Sequence, residues 1–297
     1  MSLPVDCTLG KDCFIQQYVD RDPGPGAADF TCGPLSYDGH NGTDFALPSF
    51  DAMERGVHVL AAADGVVGGL RDGEPDLGSR GMTPGKECGN GLVLDHGDGW
   101  VTQYCHMKKG SFLVAPGQKV SRGKALGEIG FSGRSEFPHL HLSLRRNGAV
   151  VDPFAPTSTA GCETAGHSQK GLWREKVKYT PGDLISIGFA DRVPDYSEIK
   201  QGNAALSELS PDLPALVIFG YAFGVRSGDV MHLRITGPDG IVADQLVTLE
   251  KTQAQVFRAV GKRRTTARWP SGDYKAEVTI RRAATIIAAQ NLVMTIE

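Results

Sequence analysis

The chain of 297 residues has no surplus of positive charge: 31 Lys and Arg stand against 34 Asp and Glu, a formal net charge of -3. With a sequence pI near 6.2, it offers no basic stripe of the kind that nucleic acid or anionic lipid requires, and neither is expected as a partner. No apolar run approaches the ~20 residues needed to cross a bilayer, so no membrane span is expected. The first residues, "MSLPVDCTLG", have neither a charged leader nor a long apolar stretch. No two cysteines show the CxxC spacing of a structural zinc site, and none lies beyond residue 162. Long amphipathic helical patterns are absent as well, which turns the reading toward strands.

What is present is the composition of a soluble globular protein, 40% hydrophobic and 22% charged, in a length sufficient for two domains. The six cysteines (Cys7, Cys13, Cys32, Cys88, Cys105, Cys162) are an even number confined to the first part of the chain. That pattern reads as a disulfide framework, hence an oxidising compartment and export, with the export signal lying outside this chain. One pair follows from local structure. Cys88 opens and Cys105 closes "CGNGLVLDHGDGWVTQYC", whose two alternating arms flank a "GDG" turn, so a hairpin brings the two sulfurs within reach.

Up to about residue 35 the chain is a loop-rich segment apart from "CFIQQYVD". From there to about 155 it reads as short strands punctuated by glycine. Within this region "RDGEPDLGSRGMTPGKE" reads as a long mobile surface loop. "VDPFAPTSTAGCETAGHSQKG" is a linker candidate, which places a boundary near residue 165 and gives domains 1–165 and 166–297. "DLISIGFA", "ALVIFGYAF", "DVMHLRITGPDGIVADQLVTL", "DYKAEVTIRR" and "NLVMTIE" then predict a β-sandwich of immunoglobulin-like type, structural or targeting in role.

Candidate chemistry lies in the first domain. In "GHNGTDFALP", His40 and Asp44 stand four apart in a run too glycine-rich for a helix. If "FPHLHLSL" is a strand, His139 and His141 project to one face while Leu140, Leu142 and Leu144 face the other. His106 ends the hairpin arm "WVTQYCHM". Each motif alone has a bland alternative: a capped turn, a packed pair, a surface histidine. Together they offer imidazoles and a carboxylate, a donor set that suits a catalytic zinc with three protein ligands and one open position. His96 reads as a turn residue, and His58, His167 and His232 have no motif partners.

"HNGTD", "CGNGLVLDHGDGWVTQYCH" and "FPHLHL", in this order, resemble the LytM and lysostaphin type of zinc endopeptidase, the M23 family, over roughly residues 35 to 155. The resemblance implies an antiparallel-sheet peptidase domain in a mainly β protein, with Zn2+ held by His40, Asp44 and His141. It makes His106 and His139 catalytic side chains, and none of the five is replaced. Asn90 resembles the family's Gly-Asn pair and is a substrate-binding candidate, with a turn residue as the alternative; Tyr104, two before His106 and by alternation on the same strand face, is a second candidate, with core packing as the alternative. The implied substrate is the peptide cross-link of bacterial peptidoglycan, and the cysteines point to the periplasm of a Gram-negative cell. The alternatives are a LytM-like regulator that activates a separate amidase, with its groove covered by residues 1 to 35 or by the long loop, and a zinc peptidase acting on a protein substrate.

Overall fold

The computed structural model describes residues 1–157 and 171–297. They form two compact units, Met1–Tyr179 and Thr180–Glu297. The boundary expected near residue 165 lies outside the described residues, as do Cys162 and His167. Residues 171–179 belong to the first unit: Leu172 N donates to Pro153 O, Trp173 packs edge-on against Phe45, and the Tyr179 hydroxyl donates to Asp29. The chain therefore divides after Tyr179, because this stretch carries aromatic groups that close over the first core.

In the first unit the strands are β1 (Phe14–Gln17), β2 (Thr43–Ala46), β3 (His58–Leu60), β4 (Gly65–Arg71), β5 (Asn90–Asp95), β6 (Trp100–Met107), β7 (Lys119–Val120), β8 (Ala125–Glu128), β9 (His139–Arg146) and β10 (Ala149–Val150). The main sheet runs β1-β2-β9-β6-β5-β4-β7, with β10 on β9 and every pair antiparallel, while β3 and β8 pair separately. Period-2 alternation explains the arrangement. Leu140, Leu142 and Leu144 of β9 are almost fully buried, and the first two join Phe45, Leu92, Leu94 and Tyr104 in one core beneath the sheet. Each contributes about 1.5–3 kcal/mol on burial, and that anchors the register which leaves His139, His141 and Ser143 on the opposite face.

The β5–β6 hairpin forms as expected and the Cys88–Cys105 disulfide closes it, with 4.8 Å between the Cα atoms; a second bridge joins Cys7 and Cys13. The expectation of a mobile loop at residues 71–87 needs correction. Asp76 accepts from Phe131 N (3.0 Å) and Lys109 N (2.9 Å), Asp72 accepts from Gly110 N, and Asn90 exchanges hydrogen bonds with the backbone of Glu74. Its acidic and amide groups satisfy backbone donors of neighbouring segments, and the loop is fastened at several points.

One buried carboxyl of this unit gives a pH prediction. Asp152 is 8% exposed, its Oδ1 accepts from Phe154 N, and its Oδ2 has no hydrogen-bond partner among the described residues. Burial pushes its pKa up to about 6 despite the nearby Arg21. A carboxyl raised above its unfolded value costs stability as pH rises from ~4 through ~6, by on the order of 2–3 kcal/mol once fully ionised. Asp152→Asn is therefore expected to be more stable than the parent by that amount at pH 8 and to show no gain at pH 4. Urea unfolding of both proteins at the two pH values checks this; an equal difference at both would refute it.

The second unit contains β11 (Asp183–Ala190), β12 (Ala215–Val225), β13 (Val230–Gly237), β14 (Gly240–Thr248), β15 (Gln253–Arg263), β16 (Gly272–Arg282) and β17 (Thr285–Ile296). They make two antiparallel sheets, β11-β12-β15 and β14-β13-β16-β17. Leu216, Ile218 and Ala222 from the first share a core with Met231, Leu233, Val278 and Ile280 from the second, so the protein is mainly β with antiparallel sheets throughout. Compared with a seven-stranded immunoglobulin constant-type sandwich, the fourth strand pairs with the third and not within the sheet of the first, second and fifth. No helix among the described residues is long and apolar enough to cross a membrane.

Candidate metal and catalytic site

On the face of the sheet away from the leucines, β2 and β9 are paired so that Asp44 lies directly opposite His141 and Ala46 opposite His139. His40 reaches the same point from the loop before β2. Its Nε2 lies 3.2 Å from Asp44 Oδ1 and 3.2 Å from His141 Nδ1, and His141 Nδ1 lies 2.9 Å from Asp44 Oδ1. These three residues form a group able to hold a metal ion.

The outward ring nitrogens decide what faces inward. His40 Nδ1 donates to Tyr18 O at 2.7 Å, and His141 Nε2 donates to Asn41 Oδ1 at 3.1 Å. With those protons committed, His40 Nε2, His141 Nδ1 and the Asp44 carboxylate are three acceptors converging on one another, an arrangement that needs a cation or shared protons between them. The edge of a tetrahedron with metal-ligand bonds of ~2.0–2.1 Å is roughly 3.3 Å, close to the separations found here, so the donor set fits zinc. Electrostatics agree. Burial disfavours charge on Asp44, yet the neighbouring His40 and His139 outweigh it and hold its carboxyl well below the usual range. Burial alone would lower the His40 pKa, but Asp44 outweighs it and raises it.

Two further histidines border the group. His139 Nε2 is 3.6 Å from Asp44 Oδ1, and the His106 ring lies 4.7 Å from that of His139 and 5.9 Å from that of His141. His106 Nδ1 donates to Ser132 O at 2.8 Å and His139 Nδ1 to Phe137 O at 2.8 Å, so each presents an unprotonated Nε2 to the site. Burial is the main cause that lowers both pKa values, that of His106 well below the ordinary range; neighbouring imidazoles add to it. Both are therefore neutral near pH 7 and able to take a proton.

His106 reaches this face because its backbone breaks the strand period. It has φ of 63°, a left-handed conformation, and the β5–β6 register shifts between Asn90 and Leu92. Such strain in a non-glycine residue persists only where neighbours hold it. Here His106 N donates to Cys88 O at 2.8 Å, one residue after Cys105 is bridged to Cys88. The same irregularity corrects the expectation for Tyr104, which does not share a face with His106. Tyr104 pairs with Leu142, is fully buried, and its hydroxyl accepts from Ala62 N at 2.9 Å, which leaves it in the core and out of the site. Asn90 is also fully buried, with its amide spent on Glu74 and Met107 O. It fastens the loop and has no amide group left for substrate.

His96 bonds Asp64 O and Thr102 Oγ1, as a turn histidine would. Several neighbours of the site were not singled out from the sequence. Asn41 sits within "HNGTD" and carries its own signal, a side-chain acceptor next to a ligand candidate. Tyr18 acts through its backbone carbonyl, for which no residue type is diagnostic. Tyr37, 52% exposed, lies with its ring 4.5 Å from that of His40.

The family model described as Peptidase family M23 matches residues 38–153. The peptidoglycan DD-endopeptidase ShyA of Vibrio cholerae is 40% identical over 113 residues, which are 38% of this chain and 22% of ShyA. The DD-carboxypeptidase/endopeptidase Mpg of Neisseria meningitidis serogroup B is 35% identical over 116 residues, 39% of this chain and 22% of Mpg. The chain thus spans about a fifth of the length of these curated relatives. Among solved structures, a zinc-containing peptidase from Vibrio cholerae aligns at 29% identity and a TM-score of 0.31, covering 46% of this chain and 38% of that one. Residues 38–153, which match the model of peptidase family M23, hold all five candidate site residues.

Proposed function

We propose that this chain is a zinc-dependent endopeptidase that hydrolyses the peptide cross-links of bacterial peptidoglycan. The observation that carries the reading is the convergence of His40, Asp44 and His141, each fixed from outside, beside two neutral histidines with free Nε2 atoms. Zinc held by the first three supplies Lewis acidity toward a peptide carbonyl and toward water.

The remaining roles fall to the chain's own groups. His106 and His139 have their Nδ1 protons committed to carbonyls, so each enters the reaction as an acceptor at Nε2. Whichever accepts the proton of the attacking water becomes a donor, to the tetrahedral oxyanion or to the leaving amine. The immobile acceptors Ser132 O and Phe137 O hold the resulting imidazolium in place. The disulfides support export to an oxidising compartment, the periplasm of a Gram-negative cell.

Incubating zinc-loaded protein with isolated cross-linked muropeptide dimers, and reading the products by mass, tests this. Cleavage to monomers is expected. Intact dimers with cleavage of a protein substrate would move the activity to proteins. No cleavage of either would leave the chain as a regulator of another hydrolase.

A further inference from the structure

The turn that holds both neutral histidines carries a cation for which the hydrolysis as described has no use. Arg134 lies on a turn between two residues that hold the neutral histidines: Ser132 O accepts from His106 Nδ1, and Ser135 Oγ lies 3.1 Å from His139 Nδ1. The turn is fixed. Arg134 N donates to Glu87 O at 2.8 Å, and a Cβ placed on Gly133 would lie 2.3 Å from Glu87 O and 2.4 Å from Gly89 N, so only glycine permits this approach.

The Arg134 side chain is held loosely by comparison. It is 67% exposed and makes no hydrogen bond among the described residues; its nearest acidic oxygen, Glu87 Oε1, is 3.8 Å away. An exposed pair at that distance contributes little and exchanges readily for a better partner. Arg134 is thus tied by its backbone to the turn that holds His106 and His139, while its guanidinium stays free to take a new partner.

We infer that Arg134 is a specificity residue that binds a free carboxylate of the substrate peptide beside the scissile bond. The inference rests on the endopeptidase reading and adds the charge of the substrate to it. A planar guanidinium with five donors matches a carboxylate in two parallel hydrogen bonds, a match that neither a carboxamide nor an ammonium reproduces. Its exposed position lets it meet a peptide lying across the histidines without first breaking a structural bond.

The test compares two synthetic cross-linked peptides that differ only in a free or amidated carboxyl next to the scissile bond. The wild-type protein is expected to show a higher kcat/KM for the free acid. In Arg134→Gln the ratio of acid to amide is expected to fall about tenfold, with zinc content unchanged, and Arg134→Lys is expected to retain part of the preference. Equal cleavage of both peptides by wild type, or the same loss on both in Arg134→Gln, would overturn the inference alone. Failure of the wild type to cleave either would overturn the endopeptidase reading and this inference together.

Discussion

His141→Ala is expected to lose zinc and activity together, whereas His106→Ala and His139→Ala are expected to keep zinc and lose about 10²–10⁴-fold in kcat. The difference follows from position. His141 Nδ1 lies within 3.2 Å of both other ligand candidates, and its removal leaves one imidazole and one carboxylate, too few to hold zinc firmly. His106 is set back, with its ring 5.9 Å from that of His141, and His139 approaches the group only through a 3.6 Å separation from Asp44. Their removal takes away a proton acceptor and leaves the three-ligand set intact. Metal content after gel filtration, read beside single-turnover rates on a cross-linked peptide, checks both halves. Equal zinc loss in all three variants would show that the five residues act as one coordination sphere and that this division of roles is wrong.

Much of this was legible in the sequence for one physical reason: a strand has an exact period of two. The run from His139 to Leu144 could satisfy a buried sheet face only by placing its leucines inside, and that sends His139 and His141 together to the other side. The Cys88–Cys105 bridge followed from the same logic, since two alternating arms around a glycine turn fix which residues meet. The misplacements came where the period fails. A left-handed residue at His106 and a register shift near Asn90 reverse the faces, so Tyr104, counted onto the site by alternation, lies in the core. Asn90 was a turn candidate by type, and only tertiary contacts show that its amide is consumed in fastening the loop. The long loop looked mobile because it is polar, yet its aspartates are the acceptors that pin it. Backbone acceptors such as Tyr18 O leave no trace in residue type at all.

Gly42 is where a single methyl group should have an effect out of proportion to its size. It sits in "HNGTD" between the two ligand candidates of that motif, and a Cβ there would lie 2.5 Å from His141 Cε1, 2.5 Å from His141 Nε2 and 2.8 Å from Leu142 O. Backbone conformation is not the obstacle, since Gly42 has no positive φ. The Cε1 and Nε2 atoms of the His141 imidazole lie against this glycine. Leu142 O belongs to the β2–β9 ladder, which cannot yield without disturbing the Asp44–His141 pairing, so the ring must move. Moving it breaks the bond from His141 Nε2 to Asn41 Oδ1 and turns Nδ1 away from Asp44 and His40. Overpacking of this kind costs about 1–3 kcal/mol where the surroundings must shift, and loss of a ligand's supporting hydrogen bond alone weakens metal binding by about 10–100-fold. Gly42→Ala is therefore expected to weaken zinc affinity by more than about 100-fold and to lower kcat/KM in parallel, with a metal-free stability only modestly below the parent. Competitive zinc titration together with thermal melts, with and without a chelator, separates the two effects: the large zinc-dependent rise in melting temperature seen for the parent should collapse in the variant. A variant that binds zinc like the parent would mean that His141 is not held where its contact with Gly42 places it, and the three-ligand assignment would fail with it.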